Sequence, residues 1–465
     1  MAKLSSHYVC SACGAQSPVA MGKCPQCGSW GSMEMQRSRD QASPLPGTRS
    51  SAKQLAAYQP QVQTLEDVDD QALQRLGSGI DEVDRVLGGG WVAGSVLLIA
   101  GEPGIGKSTL LLQLAHQALL QQRRLLYVSG EESLAQLAMR AKRLGVSSSL
   151  QLTRETDARA IAHYLQSQQP ELMIVDSIQT LRVDDDGTPG SLSQVRDATA
   201  LLSAAAKDAN STLVLIGHIT KQGSIAGPKV IEHMVDATLL LESASGFRVL
   251  RAMKNRFGAA GEMGVFEMTS GGMQAISNPS QAFLAERPEA VPGSVIVATL
   301  EGQRPLLLEV QALAAKSPYA SPRRIVQGLD QRRVDVVLAV LERRIQLPLA
   351  GLDVYVNVAG GLRLTDPGTD LAVALAVYSA VTNRIVPANT AVAGEVGLAG
   401  ELRSVAQLER RSSEAAKANF SRFIRPGDST SAAQQRGKPN QPALTTQAGI
   451  LVSSVAAALQ AVWEA

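Results

Sequence analysis

The segment that most constrains the fold of this chain is residues 101–108, GEPGIGKS, which matches the phosphate-binding pattern G-x-x-x-x-G-K-[ST]. The apolar run SVLLIA precedes it and the amphipathic run STLLLQLAHQAL follows it, which predicts a strand, a glycine-rich loop and a helix. In such a loop, backbone N–H groups surround a phosphate at a helix N-terminus. The alternative is a glycine-rich turn without a ligand, and both flanking patterns argue against it.

The predicted phosphate loop carries residues that we expect to bind ATP and Mg²⁺. Lys107 would contact the β- and γ-phosphates, and the Ser108 hydroxyl would coordinate Mg²⁺. The apolar run 172–176 ends in Asp176, whose carboxylate suits the water shell of the magnesium ion. The loop residues predicted to bind nucleotide are Gly101, Glu102, Pro103, Gly104, Ile105, Gly106, Lys107, Ser108 and Thr109.

Around this loop, residues 61–276 alternate short apolar runs with helical patterns, which predicts an α/β domain with a mostly parallel sheet and flanking helices. The predicted strands are 96–100, 125–129, 172–176 and 212–217. Glu131 and Glu132 follow the second of these strands, where one carboxylate could polarise an attacking water molecule. The alternative is that both glutamates cap the next helix. The sequence does not decide between the two glutamates.

All four cysteines lie near the N-terminus, in the pattern C-x2-C-x10-C-x2-C. Each pair is followed by a glycine, which permits the tight turn that brings two thiolates to one metal ion. Redox motifs or disulfides are the alternatives. We predict a structural Zn²⁺ site in a module of residues 1–32, followed by a flexible linker of residues 33–60 that is rich in Ser, Gln and Pro. The predicted zinc ligands are Cys10, Cys13, Cys24 and Cys27.

Charge and hydropathy exclude two classes of protein. The 44 Lys and Arg residues nearly balance the 42 Asp and Glu residues, so no global basic field attracts nucleic acid. No apolar run reaches the roughly 18 residues that a membrane span needs, and MAKLSSHYVC lacks the apolar core of a signal peptide. We therefore expect a cytoplasmic protein without a membrane partner. Any nucleic-acid partner would have to bind through local basic patches.

The densest basic cluster lies in residues 323–344. Apolar spacing predicts a helix over residues 330–344, on which arginines eleven positions apart share a face. This cluster could follow a DNA backbone, or it could be a solvated or salt-bridged surface. The arginines predicted to bind DNA are Arg323, Arg324, Arg332, Arg333, Arg343 and Arg344.

The segment KNRFG, residues 254–258, follows a predicted strand at 247–253. Lys254 and Arg256 would point the same way on an extended segment and could reach a phosphate, or they could belong to a solvated turn. Together with the cysteine pattern, GEPGIGKS, YVSGEES and GHITKQGSIAGPK, this segment resembles the RadA (Sms) family of bacterial DNA-repair proteins. The resemblance covers essentially the whole chain.

The resemblance implies an α/β fold: a RecA-like P-loop ATPase core, preceded by a four-cysteine zinc ribbon and followed by an α+β domain like the Lon protease domain. It also implies a hexameric ring that hydrolyses ATP, binds single-stranded and branched DNA, and promotes branch migration of joints made by the RecA recombinase. Glu131 would be the catalytic base and His218 would sense the γ-phosphate. Lys254 and Arg256 would reach the nucleotide of a neighbouring subunit or couple it to DNA.

Two loops would face DNA by the same resemblance. The loop 220–231 carries Lys221 and Lys229 beside glycines, which suits phosphate contacts. The loop 183–195 carries Asp184, Asp185 and Asp186, which would repel DNA. A non-motor scaffold that uses ATP to stabilise single strands and recruit RecA remains the alternative to a motor.

The C-terminal segment 277–465 resembles the Lon proteolytic domain, which uses a serine and a lysine. Asp370 occupies the position of the serine and Glu409 that of the lysine, and Thr369 is the only hydroxyl nearby. Two carboxylates supply neither a good nucleophile for a peptide bond nor an amine base. We therefore predict that this domain is proteolytically inactive.

Overall fold

The computed structural model of the chain describes residues 6–10, 16, 17, 19, 21–30, 32–37, 75–184, 188, 190–218, 230–244, 246–285, 287, 288, 291–427, 444–446 and 449–464. The chain forms two compact units, one of Met1–Gly79 with Gly89–Thr238 and one of Ile80–Gly88 with Leu239–Ala465. These units divide the chain elsewhere than the predicted boundary between residues 276 and 277. Among the helices described, none is both long and apolar enough to cross a membrane.

The first part of the chain alternates strands and helices as predicted. Its strands are β1 Ser6–Cys10, β2 Gln16–Ser17, β3 Met33–Arg37, β4 Arg75–Leu76, β5 Trp91–Val92, β6 Val96–Gly101, β7 Leu125–Ser129, β8 Gln151–Thr153, β9 Leu172–Asp176, β10 Thr212–His218, β11 Ala237–Ala244, β12 Phe247–Asn255, β13 Met263–Thr269 and β14 Gly272–Ala275. Its helices are α1 Asp81–Leu87, α2 Lys107–Leu120, α3 Leu134–Arg143, α4 Ala158–Gln168, α5 Leu192–Asp208 and α6 Val230–Met234.

The rest of the chain is a second mixture of strands and helices. Its strands are β15 Ser294–Glu301, β16 Arg304–Lys316, β17 Arg324–Gln327, β18 Leu352–Val358, β19 Thr390–Val392, β20 Glu395–Val396, β21 Leu402–Arg403, β22 Arg422–Pro426, β23 Leu444–Thr446 and β24 Gly449–Val452. Its helices are α7 Pro279–Leu284, α8 Gln331–Arg344, α9 Asp370–Thr382, α10 Leu408–Lys417 and α11 Val455–Trp463.

The N-terminal ribbon is a three-stranded sheet in the order β2-β1-β3. Strand β3 pairs antiparallel with β1, so that Cys10 lies opposite Met33 and Ser6 lies opposite Arg37. The ribbon therefore continues through Arg37. The prediction that the linker begins at residue 33 was wrong for residues 33–37, because backbone pairing with β1 adds them to the sheet.

In the first unit, five parallel strands lie in the order β6-β10-β9-β7-β8. The residues of β6, β7 and β9 are all buried, as expected for a parallel sheet that helices cover on both faces. All four predicted strands are present, and the predicted fold class is confirmed. The carboxyl ends of β6, β7 and β9 place the phosphate loop, Glu131 and Asp176 at one edge of the sheet.

In the second unit, strands β12, β13 and β14 are antiparallel neighbours, and α1 packs on β12 and β13. The eight-stranded C-terminal sheet has the order β17-β18-β16-β15-β19-β22-β24-β23. Helices α8, α9 and α11 contribute to its largest core. The helix predicted at 330–344 is present as α8, one residue shorter at its start.

Candidate active site

The phosphate loop has the predicted geometry. Strand β6 ends at Gly101 and α2 begins at Lys107, with Gly106 as the residue before the helix. Gly104 and Gly106 have φ angles of 78° and 115°, which favour glycine. The sequence between strand and helix therefore forms an open loop whose backbone N–H groups lie at a helix N-terminus, the arrangement that binds phosphate.

Lys107 is held inside the loop by backbone oxygens. Its Nζ donates hydrogen bonds to Gly101 O at 2.8 Å and to Glu102 O at 2.9 Å. Burial lowers the pKa of Lys107, and the nearby carboxylates of Asp176 and Glu131 oppose this change. A buried ammonium beside carboxylates and a phosphate loop is suited to contact the phosphates of a nucleotide.

Asp176, at the end of β9, has two hydroxyl partners. Tyr127 Oη donates to its Oδ2 at 2.9 Å, and the Ser108 side chain also forms a hydrogen bond with this carboxyl group. Burial raises the pKa of Asp176, although both hydrogen bonds oppose the increase. A serine hydroxyl and a carboxylate are the hard oxygen donors that Mg²⁺ prefers, so Ser108 and Asp176 fit the predicted magnesium site.

Glu131 lies beside both the loop and β10. Its Oε1 accepts hydrogen bonds from Ser177 Oγ at 2.5 Å and from His218 Nε2 at 2.8 Å. These contacts lower the pKa of Glu131 to about 2, the bond from His218 being the largest cause. The structure thus brings together Lys107, Asp176, Glu131 and His218, and the carboxylate of Glu131 is ionised at neutral pH.

Glu132 has a different environment. Its Oε1 lies 2.5 Å from Arg140 NH2 on α3, in a partly exposed ion pair. Helix α3 is capped by Ser133, whose hydroxyl accepts from Gln136 N, so neither glutamate provides the cap. The two adjacent acids are therefore distinguished by their partners: Glu131 bonds to Ser177 and His218, near the residues predicted to bind nucleotide, and Glu132 bonds to Arg140.

Sequence reasoning missed Tyr127 and Ser177. Tyr127 lies two residues before Ser129, which pairs with Asp176 across parallel strands, so alternation within the strand was the available signal. Ser177 follows Asp176 directly, yet its contact with Glu131 spans 46 positions of the sequence, and no local pattern indicates it.

The KNRFG segment differs slightly from its prediction. Strand β12 runs through Asn255 instead of ending at Met253, so Lys254 lies in the strand and exposed Arg256 just after it. Asn255 Nδ2 donates to Leu87 O at 3.1 Å and to Val86 O at 3.3 Å, while its Oδ1 accepts from Phe257 N at 2.9 Å. A side chain at Gly258 would meet Asn255 Nδ2 at 2.9 Å and Leu87 O at 3.4 Å. Asn255 therefore fixes the backbone that carries Lys254 and Arg256.

The two carboxylates predicted at the positions of the Lon serine and lysine are both paired with arginine. Asp370 accepts from Arg333 Nε at 3.1 Å and from its NH2 at 2.6 Å, and Glu409 Oε1 lies 3.1 Å from Arg425 NH2. Burial raises the pKa of Asp370, which the Arg333 bonds oppose. Thr369 is buried, and its hydroxyl donates to Asp366 O at 2.8 Å.

The predicted DNA-binding arginines fall into two groups. Arg323, Arg332, Arg343 and Arg344 are exposed. Arg333 and Arg324 are half-buried, with Arg333 bound to Asp370 and Arg324 bound to Leu349 O and Leu352 O. The first group presents its charge to solvent, whereas the second uses much of its hydrogen-bonding capacity within the protein. Lys221 and Lys229 lie outside the described residues.

Three of the four predicted zinc ligands lie together. The sulfur atoms of Cys10, Cys24 and Cys27 are all within 4.8 Å of one another. Gly28 has a φ angle of 74°, and its N–H donates to Cys24 O at 3.0 Å, which forms the expected tight turn. Cys13 lies outside the described residues. These thiols suit a soft metal ion such as Zn²⁺.

Comparison with known proteins identifies the family of this chain. The chain is 46% identical to the DNA repair protein RadA of Escherichia coli (strain K12), over 90% of this chain and 92% of that protein. It is 44% identical to the DNA repair protein RadA of Bacillus subtilis (strain 168), over 92% of this chain and 93% of that protein. The chain belongs to the RadA family. Its resemblance to this family, seen in the motifs, is confirmed over nearly the whole length.

Three domain families also match. Residues 8–34 match the rubredoxin metal binding domain, and residues 60–224 match the AAA domain. Residues 327–429 match the family described as subunit ChlI of Mg-chelatase. This chain therefore joins a zinc ribbon, a P-loop ATPase core and a further C-terminal domain. The inactivity of that last domain as a protease stays a prediction.

Proposed function

We propose that this RadA-family ATPase is a DNA-dependent motor that processes recombination intermediates and promotes branch migration of joints made by RecA. The observation that carries the proposal is the cluster of Lys107, Asp176, Glu131 and His218 at the carboxyl edge of one parallel sheet. Relatives that cover nine-tenths of the chain are named DNA repair proteins, which supports DNA as the partner.

Within the proposed ATPase site, each residue has a separate role. Lys107 would leave its backbone acceptors and neutralise charge on the β- and γ-phosphates. Ser108 and Asp176 would hold Mg²⁺, which supplies electrostatic stabilisation to the transferring phosphoryl group. Glu131 would orient the attacking water and accept its proton, and His218, now bonded to Glu131, would report the γ-phosphate.

A cation from a second subunit would complete the site. Lys254 and Arg256 are held on a fixed backbone by Asn255, which suits side chains that must meet a phosphate at a subunit boundary. This role requires a homo-oligomer, which we propose to be a hexameric ring. Mixing Arg256→Ala subunits with Lys107→Ala subunits should restore part of the ATPase activity, because each variant supplies what the other lacks. Mixed rings no more active than either variant would refute the role in trans.

DNA would be bound by Lys221 and Lys229 and by the exposed arginines of residues 323–344. Arg332 and Arg343 share a face of α8 and are the best candidates for contacts with a duplex backbone. Arg333 and Arg324 would contribute less, because Asp370 and backbone carbonyls already bind them. The zinc ribbon, with Zn²⁺ held by Cys10, Cys13, Cys24 and Cys27, would engage a partner protein or DNA. We place the protein in the cytoplasm.

Purified joint molecules made by RecA test the proposal. After removal of RecA, a motor should extend the heteroduplex with ATP and should fail with a non-hydrolysable analogue. A scaffold that only stabilises single strands would act equally with both nucleotides. Lys107→Ala serves as the control that the reaction uses this ATP site. Extension that is independent of hydrolysis would contradict the proposed motor.

A further inference from the structure

Tyr127 reaches the carboxylate of Asp176 because of the register of two strands. Strand β7 lies parallel to β9, with Tyr127 opposite Ile174 and Ser129 opposite Asp176. Since side chains alternate between the faces of a sheet, Tyr127 and Ser129 share the face that carries Asp176. A tyrosine two positions before Ser129 is long enough to span this diagonal. Its hydroxyl meets Asp176 Oδ2 at 2.9 Å.

The hydroxyl of Tyr127 is fully buried and donates to this carboxylate. The residue is 0% exposed. Burying a hydroxyl is costly unless it forms a hydrogen bond, and a phenylalanine ring would fill the same space without that cost. Packing alone thus does not explain a tyrosine here.

The hydrogen bond from Tyr127 restrains the orientation of the Asp176 carboxylate. Tyr127 binds Oδ2, and the Ser108 hydroxyl, the other proposed magnesium ligand, also bonds to this carboxyl group. We propose that Tyr127 is a positioning residue that fixes the carboxylate of Asp176 for the magnesium ion of bound ATP. Groups that hold a metal-binding carboxylate in this way typically change metal affinity by about 10- to 100-fold when removed. The inference rests on the proposed magnesium site of Ser108 and Asp176.

The Tyr127→Phe variant tests this role without removing the ring. Mn²⁺, which replaces Mg²⁺ and is observed by electron paramagnetic resonance, should bind about tenfold more weakly to Tyr127→Phe in the presence of a non-hydrolysable ATP analogue. Affinity for the analogue in EDTA should be unchanged, since Tyr127 has no part in phosphate binding. A matched control is Tyr164→Phe, which removes a hydroxyl bonded to Gln151 Oε1 at 3.3 Å in the same unit. This control should keep wild-type Mn²⁺ affinity.

A double-mutant cycle separates positioning from a general effect on the fold. If Tyr127 acts through Asp176, the Tyr127→Phe change should weaken Mn²⁺ binding far less in an Asp176→Asn background. Equal losses in both backgrounds would overturn the proposal, as would wild-type Mn²⁺ affinity in a folded Tyr127→Phe protein. If analogue-dependent Mn²⁺ binding were absent from the wild type itself, the magnesium site would be wrong, and the inference would fall with it.

Discussion

Arg333 donates two hydrogen bonds to Asp370, at 3.1 and 2.6 Å, and so joins the start of α8 to the start of α9. The Asp370 side chain is 6% exposed, whereas that of Arg333 is 42% exposed. The position that the Lon resemblance assigns to a nucleophile is therefore occupied by an ion pair. Arg333 is one of the arginines predicted from the sequence to bind DNA, and in the structure it forms this ion pair.

We expect Asp370→Ala to destabilise the second unit by about 1–3 kcal/mol, because it removes two charged hydrogen bonds. Solvent around the half-exposed Arg333 side chain screens this ion pair and limits its contribution to stability. Asp335→Ala is the matched control, since Asp335 is an exposed carboxylate on α8 that accepts only from Gln331 in the part of the chain described. Chemical denaturation measures both variants. Equal stability of Asp370→Ala and the wild type would show that the ion pair contributes little.

The Asn255 side chain links the KNRFG segment to the end of α1. Asn255→Asp keeps the shape but replaces the Nδ2 donor with an oxygen facing Leu87 O and Val86 O. We expect the free energy of unfolding to fall by about 1–3 kcal/mol. DNA-stimulated ATP hydrolysis should be lost, and ATP binding should be retained. Nucleotide affinity and ATP turnover, measured on the same preparation, separate a loss of hydrolysis from a loss of ATP binding. Turnover at the wild-type rate would exclude a positioning role for Asn255.

The pKa of Glu131 gives a prediction for acid conditions. Its folded-state pKa of about 2 lies below the ordinary value of 4.5, chiefly because of the bond from His218. The ionised carboxylate therefore contributes stability that is fully present above about pH 4.5 and is lost as the pH falls toward 2. We expect the difference in unfolding free energy between wild type and Glu131→Gln to shrink across this window. A difference that stays constant or grows on acidification would contradict the assigned contacts.

The zinc ribbon should lose its metal in the Cys24→Ser variant. Four thiolates hold one Zn²⁺ ion, so elemental analysis should give about one zinc per wild-type chain and much less in the variant. ATP binding should be unaffected, because none of the nucleotide residues lies in the ribbon. Ser29→Ala, beside Cys27, is the control that retains all four thiols. Wild-type protein without zinc would refute the site.

How far the sequence predicts the molecule depends on the range of the interactions. The phosphate loop, the strand ending at Asp176 and the helix over residues 331–344 follow from local patterns, because glycine spacing and apolar periodicity determine them. Contacts between distant segments do not. The bond between Asn255 and Leu87 joins residues 168 positions apart, and the pairing of Arg333 with Asp370 depends on how two helices meet.

The same limit applies within the candidate site. The sequence could indicate two adjacent glutamates but not their partners, since the choice depends on which side chains β10 and α3 bring to them. Residues 33–37 were predicted to belong to the linker, because local composition does not indicate their pairing with β1, which forms across the cysteine turns.

ATP turnover in Glu131→Gln tests most directly whether Glu131 is the catalytic base, with Glu132→Gln as the matched control. If Glu131 is the base, its amide variant should bind a fluorescent ATP analogue as tightly as the wild type and hydrolyse ATP about 10²- to 10⁴-fold more slowly. Glu132→Gln should lose only the ion pair with Arg140 and remain within a few-fold of wild-type turnover. Near-normal turnover by Glu131→Gln, or a large loss of turnover confined to Glu132→Gln, would show that Glu131 is not the catalytic base.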